Sequence, residues 1–126
     1  MTTPFTPLGL DHIVLRVSDQ AVSQRFYMER LGCTLDHVNQ TISLVQLRFG
    51  EQLIDLLPAA DTGPREGFDH FCLSIRCADL KEVAAALTRQ GVAVDGDIVD
   101  RRGAYGHGPS LYIRDPDNYR IELKPR

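Results

Sequence analysis

The chain has 126 residues, 43% of them hydrophobic and 25% charged, with a formal net charge of −3. That is one domain of ordinary size with enough apolar material for a core, and its mild acidity excludes the basic face that nucleic-acid binding demands. No apolar run approaches a membrane span, and Met1-Thr2-Thr3-Pro4 lacks the charged-then-apolar order of a signal, so the expected location is the cytoplasm.

Residues 1–9, with Pro4, Pro7 and Gly9, read as an irregular lead-in. Leu10–Val17 is β-branched and apolar, a strand. Ser18 or Asp19 then offers an N-cap to a helix in which Val22, Phe26, Tyr27 and Leu31 recur at helical spacing, with Gly32 as its stop. Strands are expected near Thr34–Asn39, Ser43–Phe49 and Gln52–Leu57, the last two joined by a Gly50-Glu51 turn. A turn-rich linker, 61–67, separates two modules of about 9–60 and 68–126 within the single domain 1–126.

The pattern then starts again. A strand over His70–Arg76 leads to a helix capped by Asp79, with Glu82 completing a capping box, Leu80, Val83, Ala84 and Leu87 as its apolar stripe, and Gly91 as its end. Strands follow near Val92–Asp100, Ser110–Arg114 and Arg120–Lys124. Asp115-Pro116-Asp117-Asn118 reads as the turn before the last strand, with Asn118 in the left-handed conformation. From His12 to Asp55 is 43 positions and from His70 to Glu122 is 52; the nine-residue excess is assigned mainly to a Gly-rich loop, 101–109. The expected fold is α+β: two βαβββ modules forming curved mixed sheets around a cleft, with helices on the outer face.

Side chains on a strand alternate faces, which sorts the polar residues. Ile13, Leu15 and Val17 share one face and His12, Val14 and Arg16 the other. Phe71, Leu73 and Ile75 separate from His70, Cys72 and Ser74, and Leu111 and Ile113 from Ser110, Tyr112 and Arg114. Ile121 and Leu123 separate in the same way from Arg120, Glu122 and Lys124. Each half therefore carries a histidine on its first strand and a carboxylate on its last. Asp55 is the one charge among Leu53, Ile54, Leu56 and Leu57, and a buried carboxylate is unfavourable unless paired or bound to a cation. One divalent ion held by His12, His70, Asp55 and Glu122 removes that penalty, and the mixed nitrogen and oxygen set suits zinc, nickel, manganese or iron(II).

The competing reading is structural, since a single histidine at the start of a strand is ordinarily a packing or surface residue. Its occurrence twice, matched by two repeat-equivalent carboxylates, favours the metal. Asp11 and Asp69 read as turn or cap groups. Arg16 and Arg114 are either rim charges or bidentate grips for a substrate carboxylate or phosphate. His107 is either a solvated loop residue or part of a flap over the substrate, and Tyr112 is a further candidate substrate contact. His37 reads as an exposed strand residue. Cys33, Cys72 and Cys77 lack C-x-x-C spacing and read as reduced, buried or half-buried thiols, with Cys72 on the cleft wall.

From about Gly9 to Pro125 the chain resembles the vicinal oxygen chelate superfamily, which includes glyoxalase I, fosfomycin-resistance proteins, type I extradiol dioxygenases and bleomycin-resistance proteins. The resemblance rests on Asp11-His12-Ile13-Val14-Leu15-Arg16-Val17, Phe26-Tyr27 with Leu31-Gly32, Asp69-His70, and the run from Tyr112 to Leu123. It implies metal ligands at His12, His70 and Glu122, a fourth at Asp55 where glyoxalase I has Glu, and a substrate-carboxylate contact at Arg16. The glutathione-contacting segments of glyoxalase I have no counterpart, and Asn118 replaces the usual Gly of its turn.

The resemblance further implies a metal-dependent lyase or isomerase acting on a small oxygen-rich molecule chelated by the metal, with Asp55 or Glu122 moving the proton. The alternatives are an extradiol-type iron(II) dioxygenase and a non-enzymatic sequestering or resistance protein. A homodimer is the expected assembly, with the site closed either within one chain or by modules paired across the dimer.

Overall fold

The computed structural model describes residues 6, 8, 10–60, 68 and 70–126. Most of the lead-in with Pro4, Pro7 and Gly9, the linker 61–67, and Asp69 lie outside the described residues. Two compact units divide the chain, Met1–Ala60 and Asp61–Arg126.

The first unit runs β1 (His12–Val17), α1 (Gln20–Glu29), β2 (Thr34–Asn39), β3 (Leu44–Phe49) and β4 (Gln52–Pro58). Asp19 caps α1, its carboxylate accepting from the Val22 amide at 3.2 Å. The sheet order is β1-β4-β3-β2, with β1 parallel to β4 and the other neighbours antiparallel. Alternation acts as the sequence suggests. Leu15, Val17, Val45, Leu47, Ile54 and Leu56 are buried on the face that α1 covers with Ser23 and Tyr27. The opposite face carries His12, Val14, Gln46 and Asp55.

The second unit runs β5 (Phe71–Ile75), α2 (Leu80–Arg89), β6 (Ala93–Val94), β7 (Val99–Gly103), β8 (Gly106–Arg114) and β9 (Arg120–Pro125). Its sheet order is β5-β9-β8-β6, with β7 paired to β8 and β5 parallel to β9. Phe71, Leu73, Leu111, Ile113, Ile121 and Leu123 share the core face, and α2 brings Leu80 and Leu87 to the same core. The Asp79 carboxylate caps α2 by accepting from the Lys81 amide at 2.9 Å.

Two expectations change here. The run Val92–Asp100 is not one strand: Gly96, at φ +84, turns the chain after the two residues of β6. The residues from Arg101 to Pro109 are not a loop: β7 and β8 form a hairpin across them, Gly103 opposite Gly106, with a two-residue turn at Ala104-Tyr105. This unit is therefore βαββββ rather than βαβββ. The glycines misled because they read as turn residues. At Gly103 the demand is close approach, since a Cβ there would stand 2.9 Å from Lys124 Cε. Asn118 sits at φ 68, as its turn requires. Among the described residues no helix is long and apolar enough to cross a membrane.

Candidate metal centre

Both units build the same element. In the first, Val14, two residues past His12, pairs with Asp55 across the parallel β1–β4 ladder. In the second, Cys72, two residues past His70, pairs with Glu122 across β5–β9. Diagonal neighbours on one face of a sheet are within reach of each other's side chains. His12 Nε2 accordingly stands 4.0 Å from Asp55 Oδ2, and His70 Nε2 stands 3.1 Å from Glu122 Oε1. Both carboxylates are buried, Asp55 to 3% and Glu122 to 6% exposure, while the histidines are partly open.

The antiparallel neighbour of each acid supplies further donors. Gln46, directly opposite Asp55 on β3, donates its amide to both carboxylate oxygens at 3.2 and 3.1 Å. Tyr112, directly opposite Glu122 on β8, donates its hydroxyl at 3.2 Å, and Ser110 donates to the other oxygen at 2.6 Å. Burial acts most strongly on Glu122 and pushes its pKa up. The hydrogen bonds from Ser110 and Tyr112, with the charge and hydrogen bond of His70, together outweigh that and hold it below the usual carboxylate value.

Asp11, read from sequence as a turn group, meets His12 Nδ1 at 2.7 Å. That hydrogen bond raises the His12 pKa, and the Asp55 charge adds to it against an opposing contribution from desolvation. With Nδ1–H given to Asp11, the lone pair of His12 falls on Nε2, the nitrogen that faces Asp55. The sequence signal was the Asp-His dipeptide itself. Ser110 and Gln46 were legible only as residues sharing a strand face with the acid beside them.

Arg16 donates to the Pro58 carbonyl at 3.2 Å and lies exposed on β1. Arg114 is engaged elsewhere: its guanidinium meets Asp95 at 2.8 Å and the Asn118 carbonyl at 3.2 Å. Asp95 also holds Arg120 at 3.1 Å, and the Arg120 guanidinium lies 3.8 Å from the centre of the Tyr112 ring. Tyr112 in turn packs edge-on to the His70 ring. His107 is a strand residue of β8 rather than a loop residue, 3.0 Å from Asp100. His37 is exposed on β2. Cys33 is buried, Cys77 intermediate and Cys72 exposed, all three free thiols. Cys72 is nonetheless desolvated by the concave wall around it, which with the Glu122 charge pushes its thiol pKa up to about 11, so it stays protonated.

Among the described residues no three His, Cys, Asp or Glu side chains gather into a group able to hold a metal ion. Each unit supplies a half-set of one imidazole nitrogen facing one buried carboxylate. The donor chemistry fits a divalent ion of borderline character. Asp11 fixes the His12 tautomer that ligation needs, and the hydrogen bonds on Glu122 keep it ionised.

Residues 9–123 match the family model described as Glyoxalase/Bleomycin resistance protein/Dioxygenase superfamily. The chain is 33% identical over 120 residues to the virulence protein STM3117 of Salmonella typhimurium, covering 90% of this chain and 81% of that protein. The crystal structure of that protein superposes with a TM-score of 0.75, covering 96% of this chain and 98% of the other. An integron cassette protein from V. cholerae gives a TM-score of 0.77 at 28% identity over 98% of both chains. A probable lactoylglutathione lyase of Synechocystis is 27% identical over 125 residues, covering 89% of this chain and 91% of that protein. With the repeated half-set and the family match extending over both units, the chain belongs to the glyoxalase/bleomycin resistance/dioxygenase superfamily, the vicinal oxygen chelate proteins.

Proposed function

We propose that this protein is a metal-dependent lyase or isomerase of glyoxalase type, acting on a small oxygen-rich molecule. The observation that carries the reading is the doubled half-set: a histidine Nε2 turned to a buried carboxylate two residues along a parallel ladder, once per unit. His12, Asp55, His70 and Glu122 are proposed as the ligands of one divalent ion, zinc, nickel, manganese or iron. The set is closed in a homodimer, one half-set coming from each chain. Such an ion supplies Lewis-acid polarisation to two adjacent substrate oxygens.

The chain's own groups do the rest. Asp11 and Gln46 orient His12 and Asp55, while Ser110 and Tyr112 orient Glu122. Asp55, with the fewer protein donors, is the better placed of the two acids to accept a proton from the carbon next to a carbonyl. Similarity to a protein named probable lactoylglutathione lyase supports the reaction class. Arg16, exposed on the face that carries His12, is proposed to hold a substrate anion.

Metal analysis of protein purified without chelator tests the centre. His12→Ala, His70→Ala and Glu122→Ala should each lose bound metal while keeping their circular dichroism; undiminished metal in all three refutes it. Mixing His12→Ala with His70→Ala then tests the assembly, because only a site shared between chains regains metal on subunit exchange. Conversion of α-ketoaldehyde–thiol adducts by the loaded protein tests the reaction.

A second reading has one observation in its favour: Glu122 already accepts from Ser110, Tyr112 and His70. A chain in which those bonds are the whole purpose of the acid is a small-molecule binder, and protein that takes up no divalent ion in the same assay would establish it.

A further inference from the structure

Beside the second half-set lies a cavity of about 500 Å³, lined among the described residues by the second unit. Among the described residues Glu122 is the one acidic side chain on its wall, and Arg102, Lys124 and Arg126 bring three permanent cationic groups. Lys124 is buried to 8% exposure on β9. Its ammonium donates to the carbonyls of Arg101 at 2.5 Å and Gly108 at 2.9 Å and reaches Ser110 Oγ at 3.5 Å, all neutral acceptors. Arg102 is exposed on β7, and the Arg126 guanidinium lies 4.5 Å from the centre of the Tyr105 ring. A cation taken out of water among neutral acceptors keeps more of its field than one paired directly with a carboxylate, and a concave wall concentrates what Glu122 does not offset.

Position along the ladder says where that field falls. Ser74 pairs with Lys124 one same-face step beyond the rung of Cys72 and Glu122. The equivalent rung of the first unit pairs Arg16 with Leu57. Both units therefore set a cation on the rung past the acid, although on opposite strands. Two strand residues span about 7 Å.

We infer that this cavity takes an anionic end of the ligand distinct from the one given to Arg16, a carboxylate or phosphate group held by the forks of Arg102 and Arg126 over the buried ammonium of Lys124. The ligand is then a small oxyanion whose charged group stands about 7 Å from the oxygens presented at Glu122. Arg114, tied to Asp95, has no part in it. The inference rests on the metal-centre reading for its other end, but anion binding is measured apart from metal.

Inorganic phosphate and malonate are titrated by calorimetry into the full chain after chelator treatment. Saturable binding of either by the wild type, weakening with added salt, is expected. Arg102→Gln, at an exposed strand position that tolerates the change, should bind about tenfold more weakly. Glu122→Gln removes the opposing charge and should bind the anion more tightly while losing metal, so the two sites respond in opposite directions. Metal uptake by Glu122→Gln equal to wild type would sink the centre and leave the anion result standing. No anion binding by the wild type, or equal binding by Arg102→Gln, overturns the inference.

Discussion

Asp55 of the first unit and Glu122 of the second occupy equivalent rungs of equivalent parallel ladders, yet their surroundings differ. Directly across from Asp55 stands Gln46, and two residues before it on β3 stands Leu44, which has no donor to give. Directly across from Glu122 stands Tyr112, and two residues before it stands Ser110, fully buried and 2.6 Å from the acid. One step beyond, Leu57 in the first unit answers to Lys124 in the second. The same scaffold thus carries one lightly held acid and one held by a closed network. Position on the ladder fixes where an acid points, and the neighbouring strand fixes how firmly it is held.

Carboxylate-to-amide changes in metal-free protein put that contrast under the greatest load. Glu122→Gln turns an acceptor of three hydrogen bonds into a mixed group that must present an NH₂ to one of its donors. Lost bonds and unsatisfied buried groups cost about 1–3 kcal/mol each, so its Tm should fall clearly. Asp55→Asn gives up the weaker arrangement and removes a buried charge, so its Tm should change little or rise. Equal losses in thermal unfolding would erase the distinction between the two acids.

Asp11 sharpens the comparison from the histidine side. Asp11→Asn keeps the side-chain size but weakens the contact that fixes the His12 ring, and such outer partners are worth roughly 10–100-fold in metal affinity. Competition with a chromophoric chelator should register that loss without a change in Tm, because Asp11 is exposed.

Much of this was legible in sequence, for a physical reason. In β1 and β5 burial alternates, which separates the face of His12 and Cys72 from the core; β4 and β9 are buried on both faces around Asp55 and Glu122, where the charge among apolar neighbours was the signal. The α1 cap at Asp19 and the left-handed Asn118 followed from local backbone chemistry. The hairpin of β7 and β8 is not legible locally because Gly106 alone serves its turn, at φ +99, while Gly103 answers to a side chain twenty-one residues away, and no local pattern reports that Lys124 crosses there. Alternation puts Arg114 on a face without naming its partner, and the Asp95 it meets lies outside its strand.

That missed contact makes the next test. Gly103→Ala sets a methyl within 2.9 Å of the Lys124 stem, and the stem moves only by giving up carbonyl bonds of its ammonium. A stability loss of roughly 1 kcal/mol is expected from thermal unfolding. No mutation at the corresponding Leu57 rung has such a lever, since the first unit has no buried cation there. An unchanged Tm in Gly103→Ala would mean the lysine stem is not confined.

The smallest effect separates the units by their surface ion pairs. In the first unit Arg48 meets Asp36 at 2.9 Å, an exposed link between β3 and β2 that leads to neither His12 nor Asp55. In the second, Asp95 holds Arg114 and Arg120, and Arg120 lies on the Tyr112 ring that donates to Glu122. The hydrogen bond from Arg114, then that from Arg120, draw the Asp95 pKa below its ordinary 3.8. A carboxyl depressed on folding stabilises fully above its unfolded pKa and loses that contribution as pH falls through the folded value. The Tm gap between wild type and Asp95→Asn should therefore be small and constant at neutral pH and close in acid below pH 3.8. With four tyrosines and no tryptophan, tyrosine emission reports the Arg120–Tyr112 stack directly: it should change in Asp95→Asn and stay as wild type in Asp36→Asn. Identical spectra for both variants would show that the second unit's network ends at Tyr112 and draws no support from the surface.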